Sequence, residues 1–154
     1  MNHIGWNHPL QDVCYYWAAL MSLLASFDIG ASGLTAQAMR LNVTASNIAN
    51  VESMSGPDGR PYRARQVEFS SIVKEGGPGA GVAVTKVIES NTPLRREYRP
   101  GHPKADSFGY VDMPNVNPVE EMVNMISASR SYQMNVEAMN VSRQLMLKTL
   151  DLGK

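Results

Sequence analysis

The chain has 154 residues and a formal net charge of zero, with 14 Lys and Arg against 14 Asp and Glu. That length suits one domain, and a balanced charge without a basic run argues against nucleic acid as the main partner. A single cysteine excludes an internal disulfide and a thiolate zinc cage. Charged residues make up only 18%, and ten methionines suit adaptable helical contact surfaces. The composition favours a helix-rich protein that binds other protein.

The first twenty residues differ in composition from the rest. They hold both tryptophans, the only cysteine and two of the three histidines. The longest apolar stretch, Val13 to Phe27, is shorter than the roughly 20 residues that span a membrane, and no Lys or Arg precedes it as in a signal peptide. We therefore expect residues 1–20 to be an extension and Met21 to be the true start.

Glycine and proline divide the remaining chain into three parts. Residues 51–118 hold eight of the nine prolines and eight of the twelve glycines, which long helices exclude. The sequence therefore predicts a mainly helical α+β fold. It has an N-terminal helix at residues 21–50, a β-rich or irregular middle at 51–117 and a C-terminal helix at 118–154.

An apolar stripe runs along the first flank. Its members lie three or four residues apart and so share one helical face; they are Phe27, Ala31, Leu34, Ala38, Leu41, Ala45 and Ile48. This heptad spacing, with large and small side chains alternating, predicts a coiled coil with a closely approaching helix. A merely amphipathic surface helix is the alternative.

The second flank opens with a helix-start signal. Asn117 can cap the first backbone N–H groups, Pro118 suits the first helical position, and Glu120 and Glu121 lie at the positive end of the helix dipole. A second stripe follows, consisting of Met122, Met125, Ser129, Tyr132, Val136, Met139, Arg143, Met146 and Leu150. A helix of this length, about 50 Å, is expected to pack along another long helix.

The middle contains turn and strand signals. Residues 57–59 read Pro-Asp-Gly and predict a turn. Strands are predicted at Val67–Phe69 and Val82–Ile88, with weaker candidates at Leu94–Arg99 and Phe108–Val111. These strands predict a small sheet or hairpin without a large core of its own.

Signals for catalysis, cofactors and metals are weak. The glycine run Gly76–Gly81 lacks the Lys-Ser/Thr of a phosphate loop and is better explained as a connector. His3, His8 and Cys14 are too few for a metal site, and His102 lies in a loop between Gly and Pro. We therefore predict no catalytic, cofactor-binding or metal-binding residues.

Arginines cluster at two places in the middle, at residues 60–65 and 95–99. Residues 51–118 contain nine basic and eight acidic side chains, so no net positive field builds up. Ion pairs within and between chains are therefore the better explanation than a polyanion site.

Motifs in both flanks resemble those of a known family. The first flank reads Gly33-Leu34-Thr35-Ala36-Gln37 and then Ala45-Ser46-Asn47-Ile48-Ala49-Asn50-Val51, similar to the N-terminal signature shared by flagellar rod and hook proteins. The second carries Pro114-Asn115-Val116-Asn117-Pro118-Val119-Glu120-Glu121-Met122-Val123. With Pro61-Tyr62-Arg63, residues 125–133 and the ending at residues 150–153, this resembles the C-class of proximal-rod proteins. The resemblance covers Met21 to Lys154.

The resemblance implies a structural subunit of the bacterial flagellar proximal rod, without catalytic activity. Members of the family are exported unfolded through the flagellar type III apparatus without a cleaved signal peptide. They polymerise helically with themselves and other proximal and distal rod proteins into the rod, which crosses the periplasm and carries torque to the hook. Their terminal helices pair as a coiled coil in the tube. No membrane insertion, nucleic acid or small-molecule substrate is implied.

Helix pairing and assembly are assigned to apolar members of the two stripes. These are Phe27, Leu34, Ala38, Leu41, Ala45, Ile48, Met122, Met125, Tyr132, Val136, Met139, Met146 and Leu150. One rival hypothesis is a secreted coiled-coil adaptor or chaperone that binds helices and forms a stable soluble dimer. Another is a rod-associated wall hydrolase, which would need a carboxylate or metal site in the middle.

Overall fold

The computed structural model describes residues 9–56, 58–73 and 80–152. His3, His8, Pro57 of the predicted turn, residues 76–79 of the glycine run and the side chain of Cys14 lie outside the described part. The described elements, in chain order, are α1 (Pro9–Ala49), β1 (Arg65–Val73), β2 (Ala80–Glu89), β3 (Arg95–Tyr98), β4 (Tyr110–Met113) and α2 (Pro118–Leu152). The predicted order of helix, β-containing middle and helix is confirmed.

The two helices are long and pack side by side. With 41 and 35 residues, α1 and α2 are about 62 and 52 Å long. α1 begins at Pro9 and so continues across the boundary expected at Met21. Among the described residues, no helix is both long and apolar enough to cross a membrane.

The start of α2 follows the cap signal in the sequence. Pro118 is the first helical residue. The backbone N–H of Val119 donates to the side-chain Oδ1 of Asn117 at 3.1 Å, and the N–H of Glu121 donates to the Asn117 carbonyl at 3.0 Å. These bonds satisfy donors that a helix start leaves free, so the predicted cap is confirmed.

The middle forms two separate antiparallel pairs of strands. β1 pairs with β2 from Arg65↔Glu89 to Val73↔Ala80, with a bulge between Glu68 and Phe69. β3 pairs with β4. All four predicted strands are present, although β1 is longer than its Val67–Phe69 signal. The β1–β2 hairpin lies against α1, where the N–H of Val82 donates to the Ser32 hydroxyl at 3.1 Å.

Burial is concentrated where the ends of the helices meet the middle. The buried side chains in the described part of the chain are Ala36, Thr44, Asn47, Ala64, Val111, Met113, Pro114, Val116 and Ala128. Most of them belong to residues 44–50, 62–65 and 111–117, three segments joined by hydrogen bonds, which we call the junction. By contrast, large apolar side chains along both helices are exposed.

Candidate functional site

The described residues hold no group of three or more His, Cys, Asp or Glu side chains arranged to bind a metal ion. What the structure offers instead is surface for protein contact. Exposed apolar side chains on the helices, the seam between α1 and α2, and the junction are the three features that bear on function.

Two glycines of α1 let α2 approach closely. A Cβ atom built on Gly30 would lie 2.7 Å from Cγ of Met139, and one built on Gly33 would lie 2.9 Å from Nδ2 of Asn135. Both distances are well inside the optimal separation of about 3.5–4.0 Å between carbon atoms. The glycines that weaken the helix in isolation therefore make room for side chains of α2. Because later residues of α1 meet earlier residues of α2, the helices are antiparallel.

Small and polar side chains contribute to the seam between the helices. Nη2 of Arg40 donates to Oδ1 of Asn124 at 3.3 Å, and Ala36 lies between Gly33 and Arg40 on the same helical face and is buried. We call the facing positions Gly30, Gly33, Arg40, Asn124, Asn135 and Met139 the intramolecular seam. Outside the junction, the buried side chains in the described parts of α1 and α2 are those of Ala36 and Ala128, so the fully buried apolar area there is small.

The two predicted apolar stripes are only partly covered in the single chain. Half-buried members are Phe27, Leu34, Ala38, Leu41, Ile48, Met125, Ser129, Met139 and Met146; exposed members are Ala31, Ala45, Met122, Tyr132, Val136, Arg143 and Leu150. Met139 of the second stripe faces Gly30 of α1. The assignment of the stripes to helix pairing and assembly therefore stays a prediction.

Further apolar side chains of α2, outside the second stripe, are also exposed. Val119, Val123 and Met134 have exposed fractions of 66%, 62% and 65%. They lie on other sides of α2 than the predicted stripe, so this helix is apolar on more than one face. A soluble single chain rarely leaves so many large apolar groups in water unless another protein covers them.

Two motif asparagines hold one short piece of backbone between them. Asn47, only 1% exposed, donates from Nδ2 to the carbonyl of Arg65 at 2.8 Å and accepts at Oδ1 from the N–H of Arg65 at 2.9 Å. The hydroxyl of Tyr62 donates to the same oxygen at 2.9 Å. Oδ1 of Asn115 accepts the N–H of Ala64 at 2.8 Å. The motifs quoted from the two flanks therefore meet in space.

Other motif residues have local roles. Nδ2 of Asn50 donates to the carbonyl of Ser46 at 2.9 Å at the end of α1. Pro114 is fully buried, and Glu120 and Glu121 occupy the first turn of α2 as predicted. Ala45 and Ala49 are exposed and Ile48 is half-buried, so these three positions are open to a neighbouring chain.

Arg65 and the three arginines of the second cluster form ion pairs within the chain, as predicted, whereas Arg63 donates to the carbonyls of Ser90 and Thr92. Arg65 pairs with Glu89 at 3.5 Å and Arg99 with Glu97 at 3.0 Å, while Arg96 pairs with Asp106. These side chains are largely in contact with water, so each pair contributes little to stability.

Asp106 closes the turn before β4. Its carboxylate accepts the backbone N–H groups of Tyr110 and Phe108, both at 2.9 Å. The bond from Tyr110, then that from Phe108 and the charge of Arg96, hold the pKa of Asp106 below its usual value, against a smaller opposing effect of desolvation. This arrangement orders a loop and gives no sign of acid–base chemistry.

Comparison with known proteins places these features in a family. Residues 27–52 match the family model described as flagella basal body rod protein, and residues 109–152 match the C-terminal model of flagellar basal body rod FlgEFG proteins.

The chain is 58% identical to flagellar basal-body rod protein FlgC of Escherichia coli O157:H7 over 134 residues, covering 87% of this chain and 100% of the relative. It is 56% identical to that of Salmonella typhimurium, with the same coverage. It is 40% identical to that of Borreliella burgdorferi, over 84% of this chain and 97% of the relative. The chain therefore belongs to the FlgC family of flagellar basal-body rod proteins.

Proposed function

We propose that this structural subunit of the flagellar basal-body rod assembles through the apolar faces of α1 and α2. The observation that carries the proposal is the number of large apolar side chains left in water on two helices more than 50 Å long. Moving such a side chain from full exposure to full burial contributes about 1.5–3 kcal/mol, and covering a partly exposed one contributes a share of that. Summed over many side chains, a wall of neighbouring helices still offers a driving force.

The total surface supports the same conclusion. The chain exposes 11527 Å², whereas a compact monomer of 16.9 kDa would expose about 7,700 Å². Two long helices around a small buried core expose more surface than a compact shape of the same mass. Because α1 carries a single charge between Ala31 and Val51, at Arg40, its burial in a wall desolvates few ions.

The intramolecular seam and the apolar faces have different roles in this proposal. Polar groups at helix-pairing positions fix register at a cost in stability, which suits Asn124 and Asn135. The apolar members of the stripes then provide affinity, both in a coiled coil with the other terminal helix and with helices of neighbouring subunits. Folding of the helices and assembly are thereby coupled.

The resemblance supplies the wider setting of the proposal. Neighbours in the rod are further copies of the chain and other proximal and distal rod proteins, and the assembled rod transmits torque across the periplasm. The subunit reaches the rod through the flagellar type III export apparatus without a cleaved signal, and it has no catalytic role.

Isolated basal bodies should contain the chain. Hook–basal-body particles purified from the native cells and analysed by mass spectrometry should yield its peptides in proportion to other rod proteins. A strain that lacks the gene should lose these peptides and the ability to swim. A soluble dimer in the periplasm with no basal-body fraction would instead support the adaptor hypothesis.

Hydrogen exchange should reveal coupled folding. In the free subunit, amides of residues 27–38 and 131–150 should exchange fast, because marginal helices with little apolar burial open readily. In basal bodies the same amides should exchange most slowly. The amide of Tyr62, bonded to the carbonyl of Ser53 at 3.0 Å in the junction region, provides a reference that should change much less. Strong protection of both helices in dilute free subunit would contradict the coupling.

A further inference from the structure

The backbone of Ala64 and Arg65 is held by side chains from opposite ends of the chain. Asn47, near the end of α1, binds both the N–H and the carbonyl of Arg65. Asn115, just before α2, accepts the N–H of Ala64 and donates from Nδ2 to the carbonyl of Thr92, both within 2.9 Å. Asn47 thus bonds Arg65 as a neighbouring β-strand would, whereas Asn115 links Ala64 to Thr92. Together the two asparagines bind consecutive residues.

We propose that Asn47 and Asn115 form one clamp that is already closed in the free subunit and fixes the directions of α1, β1 and α2 before assembly. Arg65 is the first residue of β1, and Asn115 lies three residues before the first residue of α2. The clamp therefore fixes the relative directions of α1, β1 and α2 at one point. The inference rests on the proposed function only for its consequence in assembly, because its closure concerns the single chain.

Burial supports closure without neighbours. Asn47 and Ala64 are buried in the single chain, as are Val111, Met113 and Val116 of the same junction. Hydrogen bonds shielded from water are strengthened, and a buried polar group that loses its partner is costly. Distal parts of the helices lack this shielding, so they depend on other subunits where the clamp does not.

The bonding pattern also couples the two asparagines. Ala64 and Arg65 are adjacent, so displacing one peptide group moves the other. Oδ1 of Asn47 accepts from both Tyr62 and Arg65, which places the chain on both sides of Ala64 under the control of one side chain. Opening at Asn47 should therefore release the bond of Ala64 to Asn115, and the reverse should also hold.

The family matches converge on this point. Asn47 lies in the matched segment 27–52 and Asn115 in the matched segment 109–152. The backbone they bind lies in neither segment. A clamp explains why an asparagine occurs at each of these motif positions. Helix pairing alone does not explain it.

Amide hydrogen exchange on the free full-length chain tests the clamp residue by residue. The Arg65 amide reports on Asn47 and the Ala64 amide reports on Asn115. We expect both to be strongly protected in the wild type. Asn47→Ala should speed exchange at Ala64 as well as at Arg65 by roughly tenfold or more, and Asn115→Ala should do the same at Arg65.

Asn50→Ala is the matched control. It removes an asparagine of the same motif whose side chain bonds the Ser46 carbonyl and the Ser53 hydroxyl and makes no bond to Ala64 or Arg65, so it should leave both amides unchanged. The Arg99 amide, bonded to the carbonyl of Gly109 at 2.8 Å, shows whether a variant has unfolded as a whole. If either alanine variant unfolds globally, Tyr62→Phe decides, since it removes one bond to Asn47 and keeps the ring; it should speed exchange at both Ala64 and Arg65.

Two results would overturn the proposal. Unprotected Ala64 and Arg65 amides in the wild-type free chain would show that the clamp is open before assembly. Effects confined to the amide directly bonded to each altered asparagine, or to Arg65 alone in Tyr62→Phe, would show two independent bonds. Absence of the chain from basal bodies would refute the rod assembly proposal and leave these exchange results unaffected.

Discussion

Leu41→Asp and Met139→Asp should each abolish swimming without lowering synthesis of the chain. Both residues are half-buried in the single subunit and belong to the stripes proposed to pair in the rod. A carboxylate at either position would lose its water on assembly without gaining a partner, at a cost of about 3 kcal/mol or more. Repeated in every copy, that cost should prevent stable polymerisation. Swarm diameter in soft agar and the amount of chain by immunoblot provide the two measurements.

Milder variants separate charge from general damage. Leu41→Met keeps the volume and the apolar character, so it should swim almost normally. Arg60→Ala changes an exposed loop side chain and should have little effect. Wild-type swarming by Leu41→Asp would contradict the assignment of the first stripe to an interface.

Much of the architecture could be predicted because it depends on local sequence. Long helices disfavour Gly and Pro, so the concentration of these residues marks the middle of the chain. The cap at Asn117 and Pro118 needs only neighbouring residues. Strand signals at Val67–Phe69 and Val82–Ile88 found both strands of the hairpin, but not their full length. Strand ends depend on pairing across the hairpin, which a single segment does not encode.

The intramolecular seam could not be predicted in the same way. Periodicity shows which faces are apolar but not which surface covers them, and in this chain much of both stripes is exposed in the single subunit. Considered alone, Gly30 and Gly33 disfavour a helix, whereas in the structure they face Met139 and Asn135. Their role is visible only when both helices are placed.

The clamp was hidden for a different reason. Asn47 and Asn115 belong to the motifs of the two flanks, but the motifs do not show what these side chains bind. A hydrogen bond between a side chain and distant backbone produces no periodic pattern in the sequence. The available signal at Asn47 is that a polar residue lies among small and apolar neighbours near a helix end. Asn115 lies between Pro114 and Pro118, which restrict the backbone, but this spacing does not show what the segment binds.

Gly30→Leu should strongly reduce incorporation of the chain into basal bodies. The substitution improves helix propensity by up to about 1 kcal/mol, yet even a Cβ atom there lies 2.7 Å from Cγ of Met139. A full leucine side chain must displace Met139 or push the helices apart, and such overpacking costs about 1–3 kcal/mol. Gly30→Ala, which asks only for a shift of the flexible Met139 side chain, should be close to neutral because the two effects oppose each other.

The double variant Gly30→Leu with Met139→Ala shows whether this contact persists in the rod. If Gly30 faces Met139 in the assembled state, truncating the methionine makes room for the leucine, and incorporation should recover relative to Gly30→Leu alone. Two residues in contact give such a non-additive result, whereas separated residues give the sum of their single effects. Quantitative mass spectrometry of purified basal bodies from the single and double variants measures it. A double variant worse than Gly30→Leu by the full effect of Met139→Ala would mean that Gly30 and Met139 are not in contact in the assembled rod.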